Sequence, residues 1–252
     1  MTVAEILAIL AAAIAAGAIN AVVGSGSLIT FPTLLAFGFA PVVANVSNNV
    51  GLVPGNISGS FGYREELSGQ RGRLVRLGMA SCAGALAGAG ALLALPAGVF
   101  AVVVPALIIV ACVLVVLQPR LSAWVAARGK DRTEHGGPLL IASVFLSGVY
   151  GGYFGAAQGV LVVGLLGIFL TDGLQRINAG KNVLVTIVNA SAAVVFVVFA
   201  HVAWLAVLLV ATGSTAGGFI GARVGRRLPA VVLRVIIVII GVIAAVKLIF
   251  FP

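Results

Sequence analysis

Apolar runs of membrane-crossing length recur from one end of the chain to the other. An α-helix needs about 20 apolar residues to cross a bilayer, and the sequence contains ten apolar segments joined by short loops. Three of them, about 28–40, 139–154 and 159–171, are too short to cross comfortably. Charged residues make up 8% of the chain, whereas a soluble domain carries about 25%. The pattern predicts an all-α integral membrane protein with most of its mass in the bilayer.

The net charge of +9 does not indicate a nucleic-acid partner. The lysines and arginines lie in short loops between apolar runs, where basic residues set the orientation of a membrane protein. The longest polar stretch, about 118–138, is too short to form a separate soluble domain. The first apolar run lacks a basic flank and a small-residue cleavage site, so we expect a retained helix and not a signal peptide.

Asparagine is concentrated on two helix faces that share one spacing. Asn45, Asn49 and Asn56 each have an asparagine 133 residues further along the chain. At about 100° per residue, positions i, i+3, i+4 and i+11 lie within about a third of a helical turn. We name these faces the first stripe (Asn45, Asn48, Asn49 and Asn56) and the second stripe (Asn178, Lys181, Asn182 and Asn189). Because unsatisfied amides are costly in apolar surroundings, the stripes either bond neighbouring helices or line a polar pocket for a small solute.

Glycine and proline positions extend the repeat. The matched pairs are Gly84 and Gly217, Gly88 and Gly221, and Pro96 and Pro229, with Gly17 and Gly148, and Gly24 and Gly155, at a spacing two residues shorter. Chance could supply one or two glycine pairs, but not this many together with the asparagines. We therefore interpret the chain as two homologous membrane repeats, 1–117 and 139–252, joined by a polar cytoplasmic linker, 118–138.

Basic residues occupy different loops of the two halves. In the first half, arginines follow the first stripe segment and the next turn is uncharged; in the second half, the corresponding loops carry only His201 and then a group of arginines. The two groups are Arg64, Arg71, Arg73 and Arg76, and Arg223, Arg226, Arg227 and Arg234. With basic loops cytoplasmic, the halves are inverted, the linker lies inside and both termini lie on the far side. Inverted repeats are typical of secondary transporters, with the substrate site at the repeat interface.

Two glycine-rich bends precede short apolar segments. The first contains Gly24, Ser25 and Gly26, and the second runs from Gly155 to Gln158. Glycine permits unwound backbone and close approach, and the short helix after each bend presents free N–H groups and a positive dipole end. Ser25 and Gln158 add donors. We expect broken or re-entrant helix pairs that bind an anion at these bends; the alternative is a tight bend with no ligand.

Lys181 is the cation of the second stripe, at the position that Asn48 has in the first. An ionisable residue within a membrane segment indicates a functional site by default. If Lys181 faces the interior, an anionic substrate is the natural choice. A lysine near the cytoplasmic end of its helix could instead extend to the membrane interface.

The acidic residues all fall at predicted termini or loops: Glu5, Glu65, Glu66, Asp131, Glu134 and Asp172. The sequence therefore lacks the buried carboxylate relay that is common in proton-coupled pumps. Two histidines and two cysteines offer no obvious catalytic dyad, and no nucleotide-binding loop is present. We expect no catalytic residue, no metal and no cofactor.

Three features follow one another in the first half. They are the bend at 24–27, a short helix with Pro32-Thr33-Leu34-Leu35, and the helix start at 44–49; the second half repeats the pattern over 148–200. This pattern resembles the TauE/SafE family of sulfite exporters and related sulfur-compound permeases, over nearly the whole chain. The resemblance implies transport of small sulfur-containing anions across a bacterial inner membrane. The chain departs from the usual pattern of this family in two ways. Its bends have fewer consecutive glycines, and its helix start is rich in asparagine and carries Lys181.

The sequence thus predicts a multi-pass secondary permease for sulfite, thiosulfate or an organosulfonate. Asn45, Asn49, Asn178 and Asn182 are expected to donate amide N–H groups to the anion, with Lys181 compensating its charge. Two alternatives stay open: a channel or facilitator for a small neutral polar solute or another small anion, and a membrane-embedded enzyme. The expected partners are a small anionic substrate and the bilayer. Transport direction, coupling ion and oligomeric state, including a homo-oligomer, are left open.

Overall fold

The structure, a computed structural model, describes residues 1–127, 136–224 and 230–250. These residues form ten α-helices and one short 3-10 helix at Glu65–Leu67. In chain order the helices are α1 (Val3–Val22), α2 (Ser27–Ala36), α3 (Pro41–Gly62), α4 (Arg71–Ala94), α5 (Ala97–Ala127), α6 (Pro138–Tyr153), α7 (Gln158–Phe169), α8 (Leu174–Phe199), α9 (Trp204–Val224) and α10 (Ala230–Phe250). The predicted all-α class is confirmed.

Among the described residues, five helices are long and apolar enough to cross a membrane. The candidate spans are Val3–Val22, Arg71–Ala94, Gly98–Arg120, Leu174–Phe199 and Trp204–Arg223. α3 is 22 residues long, but its asparagines, serines and glycines make it less apolar than these five. α2, α6 and α7 have 10, 16 and 12 residues, and are therefore too short to cross an ordinary bilayer upright.

α5 extends further than the sequence predicts. It continues to Ala127, so residues 118–127 of the expected linker are helical. The residues after Arg120 include leucine, tryptophan, valine and alanine, none of which is a helix stop signal. The rest of the linker, 128–135, and the predicted loop arginines at 226 and 227 lie outside the described residues.

Glycines bring two pairs of helices into backbone contact. Gly88 on α4 faces the carbonyl oxygen of Val149 on α6, and Gly221 on α9 faces that of Ala18 on α1. A Cβ atom at either glycine would collide with that oxygen. Small residues permit this approach between helices in a membrane. Each pair joins a helix before residue 118 to a helix after residue 137.

Phenylalanine rings pack the short helix α2 against the second bend. The ring centroids of Phe31 and Phe154 lie 5.3 Å apart at an interplanar angle of 87°, and Phe100 on α5 lies 6.2 Å from Phe154. All three rings are buried. Edge-to-face pairs of this kind are favourable beyond the area that they bury, so they fix the position of α2 beside the second bend.

Candidate functional site

The two glycine bends meet through their backbones. Gly24 and Gly155 have φ angles of +87° and +75°, in the left-handed region that glycine adopts without a side-chain penalty. The N–H of Gly159, in the first turn of α7, donates to the Gly24 carbonyl at 3.0 Å. A Cβ at Gly24 or Gly159 would collide with the other's backbone. The first bend therefore lies directly against the start of α7.

Both stripes face the protein interior. All eight stripe side chains are buried, and the most exposed of them, Asn49, has a relative exposure of 8%. Lys181 has none of its surface exposed, so it does not extend to the interface. The stripes are therefore turned inward, as a transport site requires, and not toward lipid.

The second stripe binds the end of α1. Helix ends leave their last carbonyls without a partner inside the helix, and α1 ends just before the Gly24 bend. The Ala21 carbonyl accepts from Asn178 Nδ2 at 3.3 Å, from Lys181 Nζ at 3.2 Å and from Asn182 Nδ2 at 3.2 Å. Lys181 Nζ also donates to the Asn20 carbonyl at 2.9 Å. One turn of α8 thus directs three donors at one carbonyl oxygen.

Lys181 is a buried cation without a counter-charge in the described part of the chain. Its hydrogen-bond partners are the two α1 carbonyls. Asp172, the acid nearest in sequence to Lys181, pairs with Arg73 and Arg176 instead. Burying an uncompensated charge is expensive even when hydrogen bonds satisfy it. In its protonated form Lys181 gives the site a positive centre that an anion neutralises.

The first stripe makes contacts of a similar kind. Asn45 Nδ2 donates to the carbonyl of Tyr153, the last residue of α6, at 3.0 Å. Asn49 Nδ2 donates to Asn189 Oδ1 at 3.3 Å, which joins the two stripes directly. Amide groups expected to donate to a substrate thus donate to the protein in this conformation.

Asn48 and Thr30 connect the first stripe to α2. The Thr30 hydroxyl donates to Asn48 Oδ1, and both side chains are buried. Thr30 lies in the first turns of α2, just beyond the Gly24 bend. The stripe, the bend and the short helix therefore form one hydrogen-bonded unit.

Asn20 is a site residue that the sequence analysis missed. It is the one asparagine off the stripes. Its Nδ2 donates to Asn56 Oδ1 at 2.6 Å, and its Oδ1 accepts from the Gly26 N–H at 3.2 Å. One feature of the sequence could have identified Asn20: it is an amide in an apolar helix, four residues before a glycine bend.

Several buried polar atoms of the stripes, the bends and α6 have no hydrogen-bond partner. They are Ser25 Oγ, Asn49 Oδ1, Asn56 Nδ2, Ser147 Oγ, Gln158 Oε1 and Asn178 Oδ1. Each such group costs about 1–3 kcal/mol, so their concentration indicates a place where a ligand or water would be stabilised. The donors in this set are Asn56 Nδ2 and the hydroxyls of Ser25 and Ser147.

An ionic cluster that the sequence analysis did not anticipate lies at the start of α8. Asp172 was placed correctly in a loop, but its partners were not predicted. It accepts from Arg73 on α4 and from Arg176 Nε at 3.0 Å. Arg73 also donates to Gln70 Oε1 at 2.6 Å. Arg73, expected only to set topology, therefore joins α4 to the start of α8.

Three cavities lie away from the stripes. The first, about 540 Å³, is apolar and lies between α2 and α10, with Pro32, Thr33, Ile240 and Ile243 in its lining. The second lies between α4 and α8, and the third between α6 and α7. None of the three is lined by a stripe residue. The expected midplane void among the stripes is thus not one of these cavities, because in this conformation the stripe donors bind protein carbonyls.

Comparison with known proteins assigns the family. The family model described as Sulfite exporter TauE/SafE matches residues 9–248. "Probable membrane transporter protein YfcA" of Escherichia coli (strain K12) is 26% identical over 245 residues, which cover 94% of this chain and 87% of that protein. "Probable membrane transporter protein ORF9" of Sinorhizobium sp is 26% identical over 250 residues, 96% of this chain and 91% of that protein. No solved structure matches. The chain belongs to the TauE/SafE family, whose members are multi-pass membrane transporters and not enzymes.

Proposed function

We propose that this protein is a secondary transporter for a small sulfur-containing anion, such as sulfite, thiosulfate or an organosulfonate, in a bacterial inner membrane. The observation that carries the proposal is Lys181, fully buried among amides and carbonyls with no carboxylate partner in the described part of the chain. An anion beside it would offset the cost of its burial. The description of the family as sulfite exporters supports a sulfur oxyanion as that anion.

In this proposal neutral donors around one cation bind the substrate. Lys181 compensates the charge, and Asn178 and Asn182 donate from the same turn of α8. Asn56 Nδ2 and the Ser25 hydroxyl, both unpartnered, are further donors. The remaining site residues are Asn45, Asn48, Asn49, Asn189, Gly24, Gly26, Gly155 and Gln158. Amides hold an anion less tightly than a cluster of arginines, which suits a carrier that must release it.

We further propose that the halves 1–117 and 139–252 are inverted repeats that rock against each other, with both termini outside the cell. Two contacts support this arrangement. Asn45 in the first half donates to Tyr153 in the second, and Asn178 in the second donates to Ala21 in the first. Each stripe thus binds the end of the helix that precedes the other half's bend, a reciprocity expected for two copies related by a pseudo-two-fold axis.

The test is anion binding by the purified full chain, measured by calorimetry with sulfite, thiosulfate, taurine, sulfate and acetate. We expect a sulfur anion to bind, and Lys181→Met to weaken that binding roughly ten- to hundredfold, because a hydrogen bond to a charged group contributes about 1.5–3 kcal/mol. Arg76→Gln is the matched control, since Arg76 is an exposed cation on α4. The anion affinity of this variant should equal that of the wild type.

Measurement of anion flux into proteoliposomes distinguishes a carrier from a channel or facilitator. A saturable, electrogenic anion flux that Lys181→Met abolishes is expected. Unchanged affinity in Lys181→Met would show that the charge role of this lysine is wrong. Non-saturating passage of a neutral solute, with no anion binding, would instead establish a channel or facilitator.

A further inference from the structure

The Ala21 carbonyl has more donors than a carbonyl can satisfy. A carbonyl oxygen has two lone pairs, yet Ala21 O accepts from Asn178, Lys181 and Asn182 at 3.2–3.3 Å. We name these three side chains the α8 cradle. Two amides and an ammonium converging on one point suit an oxygen that carries negative charge, because an anionic oxygen accepts more and stronger hydrogen bonds.

We propose that the Ala21 carbonyl occupies the position of a substrate oxyanion oxygen, and that substrate binding displaces it and frees the end of α1. This inference rests on the proposed function, since it takes an anionic substrate as given. The main chain of α1 thus acts as an internal substitute that keeps the α8 cradle satisfied while no anion is bound. The substrate class follows: an anion with at least one terminal, hydrogen-bond-accepting oxygen.

Asn20 connects this exchange to the rest of the site. Its carbonyl accepts from Lys181 Nζ, while its side chain accepts from the Gly26 N–H and donates to Asn56 Oδ1. Movement of the α1 end therefore disturbs the start of α2 and the middle of α3 together. Asn56 Nδ2 and Ser25 Oγ, buried and unpartnered, are then available to the entering anion.

The bend provides the freedom that this displacement needs. Gly24 has a φ angle of +87°, and only the hydrogen bond from Gly159 N–H to the Gly24 carbonyl ties the bend directly to α7 among the described backbone bonds. Unwinding of the last turn of α1, with a rotation at Gly24, would carry the Ala21 carbonyl away from α8 and release the Val23 and Gly24 N–H groups from the Ile19 carbonyl. Binding energy would thereby be converted into a change at the contact between the two bends.

Hydrogen exchange of the full chain in nanodiscs tests the displacement. Sodium sulfite, compared with sodium chloride at equal ionic strength, should speed the exchange of backbone amides 22–26 roughly tenfold, because the bonds that hold this segment are lost. Without any anion, Lys181→Met should speed the exchange of the same segment, and Arg76→Gln should not. The comparison of sulfite with chloride uses the wild type, so it holds even if Lys181→Met does not fold.

The outcomes separate this inference from the proposed function. Sulfite binding by calorimetry with unchanged or slower exchange at 22–26 would overturn the displacement and leave the transport proposal standing. Unchanged exchange in a folded Lys181→Met protein would also overturn it. If no anion binds and Lys181→Met alone loosens the segment, the α8 cradle is a fixed structural contact and both proposals fail.

Discussion

Asn20 shows at the scale of one residue why a search by spacing found only part of the site. The equivalent position in the second half is Gly151, so no partner asparagine marks it. The structure places the Gln158 amide against Gly151, from the far side of the second bend. An amide thus lies beside each bend but comes from a different position along the chain. Periodicity finds residues that repeat; it cannot find a group that is supplied from another position.

Replacement of Asn20 by alanine should loosen the first bend. The change removes the bonds to Asn56 Oδ1 and the Gly26 N–H and leaves Asn56 with a second unsatisfied amide atom, so we expect a loss of about 1–3 kcal/mol in unfolding free energy. Denaturation in mixed detergent micelles measures it. Ser58→Ala removes a single hydrogen bond to the Thr215 carbonyl in a more exposed place and should cost much less. Equal losses in the two variants would contradict the central position of Asn20.

At the scale of helices, most element positions were predictable because polar and glycine-rich interruptions end apolar runs. The predicted segments 139–154 and 159–171 correspond to helices 138–153 and 158–169. The end of α5 was not predictable in this way, since the short continuation after Arg120 lies within a stretch, 118–138, that is polar as a whole. The partner of Asp172 was also hidden, because Arg73 lies about a hundred residues earlier and only packing brings α4 to α8.

Asp172→Asn should weaken the attachment of α4 to the start of α8. Both Arg73 and Arg176 donate to this carboxylate, and its side chain is 15% exposed, so water screens it little. Breaking a buried ion pair costs about 3–5 kcal/mol, and the slight exposure places our expectation near the lower end. Glu65→Gln alters an exposed acid and should change the unfolding free energy by less than about 0.5 kcal/mol. A loss no larger than that of Glu65→Gln would show that the cluster is not structural.

The backbone contact between α4 and α6 can be tested with two glycines on one helix. A Cβ at Gly88 would collide with the Val149 carbonyl, whereas a Cβ at Gly90 meets nothing within 4 Å. Gly88→Ala should therefore destabilise the protein by about 1–3 kcal/mol, and Gly90→Ala should be neutral or stabilise it by up to about 1 kcal/mol. Thermal unfolding in detergent measures both. Similar melting temperatures for the two variants would mean that the helices do not approach closely at Gly88.

For the molecule as a whole, the proposed inverted arrangement makes a direct topological prediction. Charge placement and the reciprocal contacts support it. Ser68 and His201 are exposed residues at equivalent positions of the two halves, 133 apart. In a background with Cys82 and Cys112 replaced by serine, Ser68→Cys should react with a membrane-impermeant maleimide only from the cytoplasm, and His201→Cys only from outside. Labelling of both from one side would show that the halves are parallel.

The cavity between α2 and α10 affects the free-energy cost of moving the first bend. Because a pocket of about 540 Å³ already lies against α2, this short helix can tilt into existing room and need not push tightly packed neighbours apart. A close-packed interior strongly resists the displacement of a helix. The cavity beside α2 reduces that resistance on one side of this helix. The exchange at the first bend would then move only the end of α1 and the ten residues of α2, which have space behind them.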